Sequence, residues 1–282
     1  MHKKRVRNRI IWTIVAVLIV VAGWFSFGPT GSSKQNDKQI TVGVVSQTKE
    51  DAAILKSVAE QAKEDYGIDV KIKNFTDYNQ PNKALANGDI DINAFQHYAF
   101  LKAWNKANHG DLVAVGDTYI APIRLYSKKY KNIKDIPDGA TIAVPNDASN
   151  ESRALYLLKN AGLIKLKSGN ALATIADITA NPKHLKIKEV SADQTARVLE
   201  DVDASVVNNT YAVPAKLSDK DTLYVEPINK DSQQWINILV ATKANKNKKI
   251  YQELVKAYQT KKTQELFKKY YGTKQVPAWN TK

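Results

Sequence analysis

The sequence predicts an α/β protein of two lobes behind an N-terminal apolar segment, and three observations lead there. The chain has 282 residues, more than one typical domain. From Ile40 onward, short β-branched runs alternate with helical patterns, which implies parallel strands joined by crossover helices. After Pro122 the alternation restarts, as a second α/β unit would require. Hydrophobic residues at 43% and charged residues at 25% give an ordinary globular composition, which sets aside disordered and fibrous classes.

The N-terminus opens with a basic stretch, Lys3 to Arg9, followed by an apolar run from Ile10 to Phe27 broken only by Thr13, Gly23 and Ser26. As a helix at about 1.5 Å per residue the run is about 27 Å long, close to the hydrocarbon thickness of a bilayer. The flanking charges predict a cytoplasmic N-terminus with the rest of the chain outside. A cleavable signal peptide is the competing reading. Trp24, Phe25 and Phe27 stand where a small-x-small cleavage site is expected, which favours an uncleaved anchor. Residues 1–28 are therefore read as a cytoplasmic basic segment and transmembrane anchor, and residues 29–38, polar and turn-rich, as a linker.

The first lobe is expected over residues 39–121. Ile40–Val45 reads as a strand, Asp51–Tyr66 as a helix stopped at Gly67, and Asp69–Phe75 as a second strand. A short helix over Pro81–Ala86 ends at Asn87-Gly88, Asp91–Ala94 is a third strand, Gln96–Asn108 a helix, and Leu112–Ile120 an extended segment able to cross to another lobe. The second lobe is expected over residues 122–232. It would hold strands at Ile123–Ser127 and Thr141–Val144, a helix from about Asn150 to Ala161 stopped by Gly162, and a strand at Leu185–Val190. A helix over Asp193–Glu200 and strands at Ala204–Val207 and Thr222–Val225 complete it. Residues 233–282 read as a buried strand, Trp235–Ala241, returning to the first lobe, followed by amphipathic helices from Lys248 to Tyr271. Two lobes joined by two crossings leave a cleft that can close around a ligand by hinge motion.

Several chemistries are disfavoured. Absence of cysteine excludes disulfides, thiol nucleophiles and Cys-ligated metals. No dinucleotide fingerprint, phosphate loop, Gly-x-Ser-x-Gly or His-Glu-x-x-His occurs, and no histidine has a ligand-spaced partner. No enzyme, metal or cofactor is expected. The net charge of +14 raises the question of nucleic acid, but no basic helix with interleaved aromatics is present, and beyond the N-terminal cluster the basic residues look scattered along the chain.

Four segments at predicted element ends carry binding chemistry. The first, Phe75 to Asn82, holds Tyr78; its plainer reading is a capped strand-to-helix turn. The second, Asn93 to Phe100, holds Phe95, His97 and Phe100, some of whose rings suit a core. The third, Val144 to Arg153, leads from a strand end into a helix whose free N–H groups suit an anion. Arg153, set in the first turn of that expected helix, is unfavourable for the helix dipole and points to a ligand carboxylate. The fourth combines Val207-Asn-Asn-Thr-Tyr211, which includes Asn208, with Asn237, a polar residue inside an apolar strand that either makes a structural hydrogen bond or faces the cleft.

Taken together, Phe75-Thr-Asp-Tyr-Asn-Gln-Pro-Asn82, Ala86-Asn-Gly-Asp-Ile-Asp91, Phe95-Gln-His97, Leu125-Tyr-Ser-Lys-Lys-Tyr130, Pro145-Asn-Asp-x-x-Asn-x-x-Arg153 and Asp177-Ile-Thr-x-Asn-Pro182 resemble the methionine-binding proteins of the NlpA-type lipoprotein family. The resemblance runs from about Ile40 to the C-terminus. It implies a type-2 periplasmic-binding-protein fold, monomeric, that gives a free amino acid to the permease of an ABC importer. It also implies that Tyr78, Phe95 and His97 surround the ligand side chain, that Asn150 and Arg153 hold its carboxylate, and that Asn208 and Asn237 bind polar atoms of the amino-acid head; Phe100 is a further candidate pocket residue, at a position where this chain departs from the family. Two departures stand out. His97-Tyr98-Ala99-Phe100 replaces the family's usual His-x-Pro-Tyr, which removes a pocket hydroxyl and leaves a methionine-containing dipeptide or another apolar amino acid as alternative ligands. The family's lipid-bearing cysteine is also missing, so the N-terminal helix would take over as anchor. An enzyme on the same two-lobed fold is the remaining alternative.

Overall fold

Each helix of the first lobe begins and ends where local chemistry dictates. β1 (Gln39–Val45) leads to α1 (Lys49–Tyr66). The Thr48 hydroxyl accepts from the Asp51 N–H while the Asp51 carboxylate accepts from the Thr48 N–H, so a capping box sets the start. α1 stops at Gly67, whose φ of 70° lies in the left-handed region. β2 (Asp69–Phe75), α2 (Gln80–Asn87), β3 (Ile92–His97), α3 (Tyr98–Asn108) and β4 (Leu112–Ile120) follow. This computed structural model describes residues 38–45 and 48–279; the anchor expected over 1–28 and the linker up to residue 37 lie outside the described residues. Among the described residues no helix is long and apolar enough to cross a membrane.

The second lobe runs through β5 (Arg124–Tyr126), β6 (Thr141–Pro145), α4 (Ala148–Asn160), a small pair β7 (Lys165–Leu166) and β8 (Ile178–Ala180), β9 (Lys186–Val190), β10 (Ala204–Val207), α5 (Asn209–Ala212) and β11 (Thr222–Val225). The chain then returns through β12 (Ile236–Thr242), α6 (Lys249–Tyr258), α7 (Lys261–Tyr271) and β13 (Val276–Pro277).

Two main sheets result, in the orders β13-β4-β12-β3-β1-β2 and β11-β5-β10-β6-β9. They are mixed, where alternation alone predicts parallel strands. β1 pairs parallel with β3, and β6 pairs parallel with β10 and β9. β12, re-entering from the second lobe, runs antiparallel between β3 and β4, and β5 runs antiparallel to β10 and β11. The strand that enters each sheet directly from the other lobe, β12 in the first and β5 in the second, runs against both its neighbours, and β13 at the edge of the first sheet is also antiparallel to β4.

Two further expectations are corrected. The helix predicted over Asp193–Glu200 is instead two 3-10 turns, Ala192–Gln194 and Arg197–Glu200. The Ser205 hydroxyl donates to the Thr195 carbonyl, which a continuous helix would have offered to the Leu199 N–H. The strand predicted to stop at Ala94 continues to His97, because His97 itself caps α3: its Nδ1 accepts from the Phe100 N–H at 3.1 Å.

Each lobe has its own core. Ile40, Val58, Ile92, Leu239, Leu254 and Phe267 pack between the first sheet and α1, α6 and α7. Leu125, Ile142, Leu155, Leu158 and Val206 fill the second. Burial stabilises by roughly 1.5–3 kcal/mol for each large side chain, so both lobes are well founded. A third cluster joins Val45, Phe95 and Phe100 of the first lobe to Tyr126, Leu199, Val207 and Tyr211 of the second. Apolar contact therefore runs across the cleft, and the lobes are closed on one another.

Candidate functional site

The chain crosses from the first sheet to the second between Ile120 and Arg124 and returns between Val225 and Ile236. Beside these crossings lies a narrow cavity of ≈ 30 Å³, and Tyr78, Phe95, His97, Phe100, Asn150, Arg153, Asn208 and Asn237 all line it. Strand ends and helix starts bring them there. Phe95 and His97 sit near the end of β3, with Asn237 opposite His97 in register on β12. Asn150 and Arg153 project from α4, and Asn208 follows β10 directly.

One wall is aromatic. The Tyr78 ring lies 5.8 Å from both Phe95 and Phe100, and 5.1 Å from Tyr211 of the other lobe. Phe95 and Phe100 meet edge to face at 5.6 Å, a favoured geometry for quadrupolar rings. Phe100, standing where the resemblance expects a tyrosine, is buried among these rings.

The opposite wall is a directed polar network. Because His97 Nδ1 accepts from a backbone N–H, the neutral ring carries its proton on Nε2, which donates to Asn150 Oδ1 at 3.3 Å across the cleft. Asn208 Nδ2 donates to the same oxygen at 2.8 Å, and Asn150 Nδ2 donates to both oxygens of Asp147 at 3.0 Å. Asn150 is thus fully engaged within the protein, although the resemblance gave it a ligand carboxylate. Asn208 Oδ1, buried, has no hydrogen-bond partner among the described residues. Burial, reinforced by the Arg153 charge, pushes the His97 pKa down to about 3, so the ring stays neutral. Burial also raises the Asp147 carboxyl above the usual carboxylate range, against the hydrogen bonds it accepts.

Arg153 differs most from the sequence expectation. Asp147 caps α4 so that the helix begins at Ala148, which puts Arg153 in the second turn instead of the first. Its Nε donates to Glu226 Oε1 at 2.7 Å, and its Nη2 donates to Glu226 Oε2 and, at 3.0 Å, to the Ala121 carbonyl. The guanidinium also lies 4.7 Å from the Trp235 ring centre. The cation therefore already has a carboxylate partner, Glu226, which sequence reasoning missed. Only Nη1 makes no hydrogen bond to the described residues. Gln96, Tyr119, Ala121, Ile123, Asn209 and Thr210 complete the lining.

A second cavity of ≈ 60 Å³ adjoins the first through Tyr119, Asn209 and Thr210 and is lined by Asp51, Tyr258, Tyr271 and Gln275 among others. Among the described residues it is lined by no guanidinium and no imidazole.

Comparison with known proteins agrees with this architecture. The sequence matches the NlpA lipoprotein family over residues 40–279. It is 44% identical over 244 residues to a probable D-methionine-binding lipoprotein MetQ of Haemophilus influenzae, covering 86% of this chain and 88% of that protein. It is 41% identical over 254 residues to the D-methionine-binding lipoprotein MetQ of Escherichia coli K12, covering 88% and 92%. The substrate-binding protein of a methionine transporter from Streptococcus pneumoniae superposes with a TM-score of 0.82 at 48% identity, over 86% of this chain and 96% of that one. A nutrient-binding protein from Burkholderia cenocepacia, solved bound to methionine, superposes with a TM-score of 0.80 at 43% identity, over 85% and 99%. With a family match across the whole two-lobed body and relatives at 41–48% identity, the chain belongs to the NlpA lipoprotein family.

Proposed function

We propose that this protein is the extracytoplasmic substrate-binding protein of an ABC importer and captures free methionine by lobe closure. The observation that carries the reading is the meeting, in one interlobe cavity, of a guanidinium edge, an orphaned amide oxygen and an aromatic wall. A zwitterion needs all three: its carboxylate pairs with Arg153 Nη1, its ammonium donates to Asn208 Oδ1, and Asn237 takes a further polar atom of the head. Its thioether lies against Tyr78, Phe95, His97 and Phe100, where sulfur–ring contacts favour it by about 0.3–1.5 kcal/mol. The names of the relatives support methionine as the ligand. The ≈ 60 Å³ neighbour lacks the cation and is not assigned this ligand.

Residues 10–27 form the membrane anchor in this reading, with the folded body outside as a monomer that meets the permease. A tether of either kind, lipid or helix, keeps the binder at high effective concentration beside its importer. The lobes are assigned to residues 39–121 with 233–282, and to residues 122–232.

Calorimetry with purified protein tests the proposal. Methionine is expected to bind stoichiometrically and to be recovered unchanged. Arg153→Ala is expected to weaken binding by on the order of 30-fold to several thousandfold, since a buried carboxylate loses its charge partner. Unchanged affinity in that variant removes the polar anchor, and a chemically altered ligand would replace transport with catalysis. A panel including methionyl dipeptides and leucine settles what Phe100 does to selectivity.

A further inference from the structure

The surplus positive charge is placed unevenly. Residues 40 to 242 carry 24 basic and 25 acidic side chains and are nearly neutral, whereas residues 243 to 274 carry ten lysines against Glu253 and Glu265. On each of the two C-terminal helices these lysines gather on the side turned away from the core. α6 and α7 turn Tyr251, Leu254, Phe267 and Tyr271 inward, and the helical period puts lysines on the other side. Lys249 and Lys256 are seven residues apart on α6, as are the pairs Lys261 and Lys268, and Lys262 and Lys269, on α7; all six are exposed. Exposed Lys243, Lys246 and Lys248 continue the run in the turn before α6.

Little within the protein neutralises this face. Among the described residues only Lys249, to Glu253 at 3.5 Å, and Lys274, to Asp219 at 3.7 Å, come within 4 Å of a carboxylate. α1, which packs against both helices, is net acidic, so the basic field does not continue onto it. Gathering like charges costs folding free energy through self-repulsion, and an external anion offsets it. The face holds point charges spread over two helices; Tyr251, Tyr258, Phe267 and Tyr271 are buried and Tyr270 is half-buried beneath Lys269, so no ring stands exposed for stacking on nucleobases. It also lacks outward apolar residues for insertion into acyl chains. Such a surface matches a diffuse plane of anions.

We propose that the α6–α7 lysine face docks the first lobe on the anionic phospholipid headgroups of the membrane that carries the chain. The tether rests on the reading given above: the eleven residues between Phe27 and Gln39 span at most about 40 Å, which keeps the lobe within reach of the headgroups.

Residues 38–282 suit the test. Residues 40–282 form one compact unit with its own cores, and solved relatives are almost wholly covered by the matching part of this chain. The fragment is expected to co-sediment with phosphatidylcholine vesicles containing about 30% phosphatidylglycerol at about 0.1 M salt, to ignore pure phosphatidylcholine, and to be released at about 0.5 M salt. Each lysine near an anionic surface contributes about fivefold, so changing Lys261, Lys262, Lys268 and Lys269 to Gln is expected to lower partition by at least 100-fold. Changing Lys165, Lys167, Lys186 and Lys188, exposed on the second lobe, to Gln alters net charge equally and is expected to leave partition unchanged. Equal loss in both variants, or no binding to anionic vesicles, overturns the proposal. Tighter binding to soluble polyglycerol phosphate than to vesicles at equal phosphate also overturns it, in favour of a surface polymer. Methionine calorimetry on the α7 variant, expected unchanged, reports its folding. Failure of the unmodified fragment to bind methionine would sink the transport reading while leaving the vesicle result intact.

Discussion

Arg153 is gripped from three sides, by Glu226, by the Ala121 carbonyl and by the face of Trp235. Glu226 in turn accepts from the Ile123 N–H at 3.1 Å, so a single carboxylate fixes both the guanidinium and the start of the second lobe. Removing it leaves a buried cation without its partner. Glu226→Ala is therefore expected to lose about 3–5 kcal/mol, which at 2–4 °C per kcal/mol lowers Tm by roughly 6–20 °C in thermal denaturation. Replacing both Arg153 and Glu226 with Leu should recover most of that stability while methionine affinity stays low, which separates fold from binding. The place of Arg153 in the interlobe cavity was legible because Asp-x-x-Asn-x-x-Arg opens a helical pattern after a strand. Glu226 was not, because an acid between a strand and Pro227 looks like a solvent turn and its partner stands 73 residues away. His97 makes the residue-scale pH prediction. Its folded pKa of about 3 lies below the ordinary 6.5, so the unfolded chain binds more protons between those values. Its contribution to stability is complete above pH 6.5 and declines as pH falls. Asp147 and Glu151, whose carboxyl pKa values burial raises, tilt stability the other way at the acid end. Denaturant titrations between pH 5 and 6.5 should show stability falling with acid in the native protein, and a flatter profile in His97→Gln.

At the scale of elements, α4 shows what a cap contributes beyond its own helix. The Asp147 carboxylate accepts from the Asn150 N–H and Ser149 hydroxyl, and also from the Asn150 side-chain amide that bridges His97 and Asn208. Asp147→Ala is expected to cost about 1–2 kcal/mol in stability as a lost cap. It should also lower methionine affinity by releasing Asn150, whereas Asp147→Asn keeps the backbone cap and most of the stability; melting and calorimetry on the same samples distinguish them. Elements with strong local signals, such as Asp69–Phe75 and Leu112–Ile120, were legible in the sequence to the residue. The direction of β12 was not, because no local pattern records which way a returning strand runs. The 3-10 turns around Thr195 also escaped, since the hydroxyl that interrupts them comes from Ser205 on β10.

For the whole molecule, closure rests on modest contacts that differ from the two lobe cores. Tyr78 against Tyr211, His97 to Asn150 and Lys274 to Asp219 are among the contacts that bridge the two lobes beside the chain crossings. Tyr211→Ala is expected to shift the lobe equilibrium toward the open form, enlarging the radius of gyration in X-ray scattering. It should weaken methionine binding at least tenfold, or about 1.4 kcal/mol, with each lobe core intact. The two-lobe plan was legible from the restart of the strand–helix pattern after Pro122. The closed contacts were not, because they depend on a hinge angle that no segment encodes alone.

The stacking of Arg153 on Trp235 reaches further than the ligand pocket. The indole precedes β12, on the return crossing, while the same guanidinium holds the Ala121 carbonyl on the outward crossing. One side chain thus touches both strands of the hinge, and any tug on its charge is felt by a fluorophore. Trp235 emission, isolated by replacing the other tryptophans with Phe, is therefore expected to change on methionine binding and to read how far the jaws have shut.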